Sequence, residues 1–363
     1  MYDVVKRMQE LYSRLQDQQS RALFVDRFAI DMEPSMTNTM KLCAHAGQVT
    51  LEQECSWKSA FHELNQAGEK IVLYGASIVG RDMAAALQCE KVEFYGFCDR
   101  EYARFPDGLM GKPVISPNEL LNHPNQYYVV IATGIFYYAE IEQILRDHDF
   151  PEKRILKYFG MPEENQYFEF PSLYHKGTEF VDCGCYNCAD CYTFVEWCGG
   201  EYSKIYAFEP DPANVENCKK YLKQRPIENI QLVPKGVSNE TKTVEFGSDG
   251  GVTSHILRDD PIAASNSVVV NRIILHTTTI DETVGDERVG FIKMDIEGAE
   301  FEALHGAEAT IIRDKPFLAI CVYHQQGDTI AFMDYLQKLV PEYRFWLRHY
   351  GPARTETVLY ASI

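Results

Sequence analysis

The chain has 363 residues, enough for two domains, and its 45% hydrophobic and 12% aromatic content is ample for two buried cores. A formal net charge of −18 argues against a duplex nucleic-acid or anionic-membrane binder, because both need a basic face. No run reaches the roughly 20 apolar residues that span a bilayer, and the N-terminal MYDVVKRMQELYSRL is charged throughout, unlike a signal peptide. Eleven irregularly spaced cysteines then fit reduced thiols in a cytoplasmic protein.

In chain order, residues 1–54 read as a helical arm. Val4, Val5, Met8, Leu11, Tyr12 and Leu15 follow helical spacing, for packing or for a homodimer contact. Residues 55–160 alternate helices with apolar strands, Lys70 to Tyr74, Val92 to Phe97 and Tyr128 to Ala132, the pattern of a Rossmann-like α/β domain. Its turn Gly75-Ala76-Ser77-Ile78-Val79-Gly80 supplies part of a dinucleotide fingerprint, with Ser77 at the middle glycine and Asp99 at the next strand end. A nucleotide or nucleotide-sugar site and a vestigial scaffold are both open readings. Pro151, Pro162 and Pro171 mark a linker around 161–177.

The second domain, 178–363, opens with Phe180-Val181 running into Asp182-Cys183-Gly184, then a helix and the strand Ile205 to Phe208, ending on Glu209. This is the pattern of a nucleoside-binding βαβ unit, where the glycine turn lets amides approach a ligand and the acid can accept both hydroxyls of a ribose, or of an ordinary βαβ turn in which Asp182 caps a helix. A helix over 212–224, a strand over 230–233 and the turn Lys235-Gly236-Val237-Ser238 follow. Thr243 to Phe246 and Val268 to Thr278 form a ribbon around the glycine loop Gly250 to His255. Then come a strand at 289–295, a helix at 299–313, a strand at 317–323 ending before His324, a helix at 328–340 and two last strands. The order predicts a seven-stranded mixed sheet with a final antiparallel hairpin. Lys293, Asp295 and Glu297 alternate at a strand's C-terminal end, where ligands bind in open α/β sheets. Glu297 and Glu300 are also suitable helix caps, whereas Lys293 inside FIKMD would be costly to bury unpaired.

Taken in order, FVDCGCYNCADCYTF, AFEPDPANVENCKKYL, PKGVSNETKTVEF, TIDETV and FIKMDIEGAEFEALHGA resemble the FkbM family of S-adenosylmethionine-dependent methyltransferases, over about residues 165–363. The N-terminal region, with YGAS and GFCDR, resembles the small Rossmann-like domains attached to bacterial sugar-modifying enzymes. The FkbM resemblance implies a class I methyltransferase fold, S-adenosylmethionine as cofactor and O-methylation of a sugar, glycan intermediate or small metabolite. Carried over by position, Asp182, Gly184, Cys185 and Asn187 form the first cofactor loop and Glu209 holds the ribose. Pro210 and Asp211 lie beside the adenine, Gly236 and Val237 border its pocket, and Asp295 sits near the donor or the acceptor. The family's usual second loop glycine is Cys188 here.

An alcohol acceptor must lose a proton, and His324 is the first candidate base, Asp295 the second, with Lys293 orienting the acceptor. Ser254, His255 and Arg348 are candidate substrate contacts. No metal is expected: Cys183, Cys185, Cys188 and Cys191 match no common zinc or ferredoxin spacing, and a turn plus a first helical turn cannot bring all four together. Two rival readings remain, a nicotinamide or nucleotide-sugar oxidoreductase resting on Gly75, Gly80 and Asp99, and a non-catalytic binding protein with a degenerate methyltransferase domain.

Overall fold

The computed structural model describes all residues except Met1, 157–164, 249–254, 257–270 and 352. Ser254, most of the glycine loop before it, the start of the predicted 268–278 strand and the middle of the predicted linker lie outside the described residues. The chain divides into two compact units. One comprises Met1–Gln16, Asn165–Trp346 and Val358–Ile363, the other Asp17–Glu164 and Leu347–Thr357.

Chain order begins with helix α1 (Tyr2–Ser13), whose Leu11, with Leu15 just beyond its end, is fully buried; Arg7 donates to Asp334 at 2.5 Å. Its apolar face is therefore used inside its own unit. Next come α2 (Gln18–Met32), α3 (Met36–His45), α4 (Leu51–Gln66), β1 (Lys70–Tyr74), α5 (Ile78–Cys89), β2 (Gly96–Cys98), β3 (Val114–Ile115), α6 (Pro117–Asn122), β4 (Tyr127–Ile131) and α7 (Ile135–Asp147). The strands form an all-parallel sheet in the order β3-β2-β1-β4. Helix α4 starts at Leu51, ahead of the boundary expected near 55, because Thr50 and Gln53 exchange side-chain and backbone hydrogen bonds, a capping box. The β2 strand is shorter than the apolar run 92–97: Val92 and Phe94 are buried, but ladder pairing with β1 begins only at Gly96.

The larger unit continues with β5 (Glu179–Cys183), α8 (Ala189–Trp197), β6 (Ile205–Phe208), α9 (Pro212–Gln224), β7 (Ile230–Val233), β8 (Gly236–Val237), β9 (Thr243–Ser248), β10 (His255–Ile256), β11 (Asn271–Thr278), α10 (Ile280–Val284), β12 (Val289–Met294), α11 (Glu300–His305), α12 (Glu308–Asp314), β13 (Phe317–Cys321), α13 (Asp328–Leu339), β14 (Arg344–His349) and β15 (Thr357–Ser362). Seven strands make one mixed sheet, β14-β15-β13-β12-β5-β6-β7, with β15 antiparallel to β13. A smaller sheet has the order β10-β9-β11-β8. The single helix expected over 299–313 is two, α11 and α12. At the break a side chain on Gly306 would come within 2.1 Å of the Ser238 carbonyl, so backbone must approach backbone there.

The strand order reverses between β5 and β12, which leaves a crevice at their C-terminal ends. Both strands are buried along their length, as parallel strands covered on both faces require. One face carries an aromatic cluster. Phe180 stacks on Phe194 with centroids 4.1 Å apart, and Phe291 lies 4.9 Å from Phe180 and 4.8 Å from Phe317. Phe291→Ala removes the ring that joins β5, β12 and β13, and should lower the unfolding free energy of this unit by about 3–5 kcal/mol in urea titration.

Candidate active site

The site is built around one buried cation. Asp182 and Lys293 are register partners across β5 and β12, and both are almost completely buried. Lys293 Nζ stands 3.1 Å from Asp182 Oδ1 and 3.2 Å from Asp190 Oδ2, and donates to the Gly184 carbonyl at 2.9 Å. Three ammonium protons thus face three acceptors. Burial favours a neutral amine, but Asp182 and Asp190 hold Lys293 protonated well above its ordinary range. This corrects the expectation that Lys293 orients the acceptor. It fixes the loop after β5 and the start of α8, and the Tyr167 ring covers it at 4.9 Å.

That loop alternates left-handed residues, Gly184 (φ 84°), Tyr186 (φ 51°) and Cys188 (φ 65°), which turns successive amides to one side. A side chain on Gly184 would meet the Asp295 carbonyl at 1.9 Å, so this glycine is required by the close approach of the β12 end. Asn187 Oδ1 accepts from the Ala189 amide at 2.9 Å and caps α8. Glu209, at the end of β6, is buried; its Oε2 accepts from the Tyr186 amide at 3.0 Å and its Oε1 from the Asp211 amide at 2.9 Å. Burial still pushes its carboxyl up to about 7, against these donors and Asn214. Asp211 accepts from the Ala213 amide at 2.8 Å and starts α9. Gly236 faces Pro210, a distance of 3.9 Å from where its side chain would begin, and Val237 beside it is buried. Asp182, Gly184, Glu209, Pro210, Asp211, Gly236 and Val237 are thus brought to one end of the sheet.

Asp295 follows β12, and its Oδ2 accepts from the Tyr167 hydroxyl at 2.7 Å. Its carboxyl is held below the usual range in spite of burial, by His324, Lys293 and Tyr167. His324 follows β13 with Nε2 3.6 Å from Asp295 and 3.7 Å from Glu297, and Nδ1 3.0 Å from Glu300. Burial works against the imidazolium, but the carboxylates of Glu300, Glu297 and Asp295 prevail and raise its pKa well above 6.5. Glu300 also accepts from the Ile296 amide at 2.8 Å, in the turn before α11, and stands in the first turn of that helix, which has no side-chain cap. Tyr167, Asp190 and Tyr323, whose hydroxyl stands 3.5 Å from Asp295, were missed by sequence reasoning. Asp190 alone left a signal, as an acid in the first turn of a helix.

Two substrate assignments end differently. The Arg348 guanidinium contacts Asp17 at 2.8 Å, the Ser20 hydroxyl at 3.0 Å and the Leu347 carbonyl at 2.8 Å, and so anchors the start of α2. This corrects its reading as a substrate contact. His255 lies on β10, paired with Gly247. The cysteines also separate. Cys183 stays in β5, while Cys185 and Cys188 meet Cys218 of α9, and Cys191 donates to Asp182 Oδ2 at 3.2 Å. Cys188 Sγ donates to Cys185 Sγ at 3.8 Å, and Cys218 Sγ donates to the Tyr186 carbonyl at 3.2 Å.

Among the described residues no helix is long and apolar enough to cross a membrane. No curated protein matches the sequence. Among solved structures, methyltransferase FkbM from Methylobacillus flagellatus KT is similar at 18% identity and TM-score 0.47, over 95% of this chain and 99% of that one. An rRNA methylase from Streptococcus thermophilus matches at 15% identity and TM-score 0.32, over 53% and 90% of the two chains. A Streptococcus mutans methyltransferase candidate in complex with SAH matches at 14% and 0.30, over 53% and 93%.

Replacing Lys293 leaves Asp182 and Asp190 facing each other without their cation. Lys293→Met should cost about 3–5 kcal/mol in denaturant unfolding, and adding Asp182→Leu should recover part of that loss.

Residues 182–351 match the family model described as the methyltransferase FkbM domain, and this part of the chain is a domain of that family.

Proposed function

We propose that the chain is an S-adenosylmethionine-dependent O-methyltransferase acting on a hydroxyl of a sugar, glycan intermediate or small metabolite. The observation that carries the reading is Glu209: a buried carboxylate at a strand end, beside a loop of left-handed residues, whose carboxyl burial raises to about 7 in spite of three donors from the protein. A ribose diol supplies two further donors, so the residues present fit the donor nucleoside. When bound, the donor supplies a methyl group activated on a sulfonium.

The chain's own residues position and deprotonate. Glu209 accepts the ribose hydroxyls, the amides of the Gly184 to Cys188 loop surround the amino-acid end, and Pro210, Asp211, Gly236 and Val237 border the base. Lys293 acts at one remove, by holding that loop on the sheet edge. Across the crevice His324 takes the proton of the acceptor hydroxyl, with Asp295 keeping the imidazole oriented. Three carboxylates around His324 raise its pKa well above 6.5, so the imidazole must lose its own proton before it can take the acceptor's.

Two outcomes test this. The ribose binds the ionised form of Glu209, so donor affinity should rise as pH climbs through about 7, roughly tenfold between pH 6 and pH 8. Calorimetry should show proton release near pH 7, and Glu209→Gln should bind weakly at every pH; an unchanged pH dependence in that variant removes the ribose role. Turnover of an identified acceptor should rise with pH through a value above 6.5. Glu297→Gln should move this limb to lower pH, while His324→Ala should abolish it and slow the reaction about 10²-fold or more with donor affinity kept. A His324→Ala enzyme with the original profile eliminates His324 as the base.

A further inference from the structure

Three sulfurs from two elements converge beneath the loop that follows β5. Cys185 Sγ lies 3.8 Å from Cys188 Sγ and 3.8 Å from Cys218 Sγ, and all three lie within 4.8 Å of one another. All are buried, and none of the eleven cysteines is in a disulfide. A tetrahedral zinc–thiolate site with bonds of about 2.3 Å has sulfurs about 3.8 Å apart along each edge. Cys188 holds its place from a left-handed backbone (φ 65°, ψ 15°), which costs a non-glycine residue of order 1–3 kcal/mol. A disulfide joins two sulfurs and gives no reason for a third at equal distance.

We propose that Cys185, Cys188 and Cys218 bind a soft divalent metal ion, zinc foremost, as a structural staple between the loop after β5 and helix α9. Binding deprotonates three thiols and forms three metal–sulfur bonds, with three protons released. The staple ties the loop bearing the Tyr186 amide to the helix that starts at Asp211, and both donate to Glu209.

The full chain, purified under reducing conditions without chelator, should carry about one zinc per chain by elemental mass spectrometry. Cys185→Ser and Cys218→Ser should fall below one-tenth of that, while Cys198→Ser, a buried cysteine outside the cluster, should keep it. Should the serine variants fail to fold, the wild type decides alone. Stripped of metal, it should titrate with one equivalent of cobalt(II), develop thiolate-to-cobalt charge-transfer absorption and melt at a higher temperature when loaded. Folded wild type with neither zinc nor a cobalt band overturns the proposal, as does a native disulfide among the three. The metal count is independent of donor binding, so it stands or falls apart from the methyltransferase reading.

Discussion

The contact between Asp182 and Lys293 sets the geometry of everything around it. The two residues face each other at the place where the strand order reverses, and a slip of one residue would send both charges to the opposite face, away from Asp190 and Gly184. A buried pair of this kind is poor as a source of net stability, since desolvation offsets most of the Coulombic gain. Its effect is specificity. With three acceptors for three protons, the ammonium admits one register of β5 on β12 and one path for the loop beyond.

From that loop the site divides into two halves with opposite electrostatic demands. On the β6 side burial outweighs the three donors to Glu209 and raises its carboxyl to about 7. On the β13 side an imidazole is crowded by carboxylates, so it resists losing its proton. In the proposed reaction both groups act in the deprotonated form, and both reach it as pH rises. The Tyr167 hydroxyl on Asp295, and its ring over Lys293, connect the halves.

Much of this was legible in the sequence because strand ends announce themselves: an apolar run that stops on an acid, a glycine or a histidine places Asp182, Gly184, Glu209, Asp295 and His324 on the same edge of a parallel sheet. The identity of a residue's partner is not legible that way. Lys293 was rightly judged too costly to bury alone, but its partners come from β5 and the loop after it, 109–111 positions upstream, and from α8. Arg348 looked available only because nothing local reveals that Asp17 lies against it. The cysteine cluster was illegible for the same reason: the four cysteines close in sequence include only two of its sulfurs, and the third comes from α9. The division at Gly306 likewise depends on the distant backbone of Ser238.

The glycine turn at Gly75 shows where such reading stops. In its own unit this turn has the same grammar as the one at Gly184: an apolar strand, a left-handed glycine, a helix, and an acid at the next strand's end. Both glycines are forced by backbone packing, Gly75 against the Ala132 carbonyl and Gly184 against that of Asp295. What differs is how deeply the acid is buried. Asp99 is half-buried and accepts from the Ala76 amide at 2.8 Å, 23 positions away in the Gly75 turn, and from the Glu101 amide at 2.8 Å. Glu209 accepts from the same two places, the turn 23 positions before it and the amide two positions on, but it is buried, and burial raises its carboxyl to about 7. A glycine turn thus marks where a strand end packs closely on its neighbour, and the depth of the acid beyond it is what distinguishes the two turns.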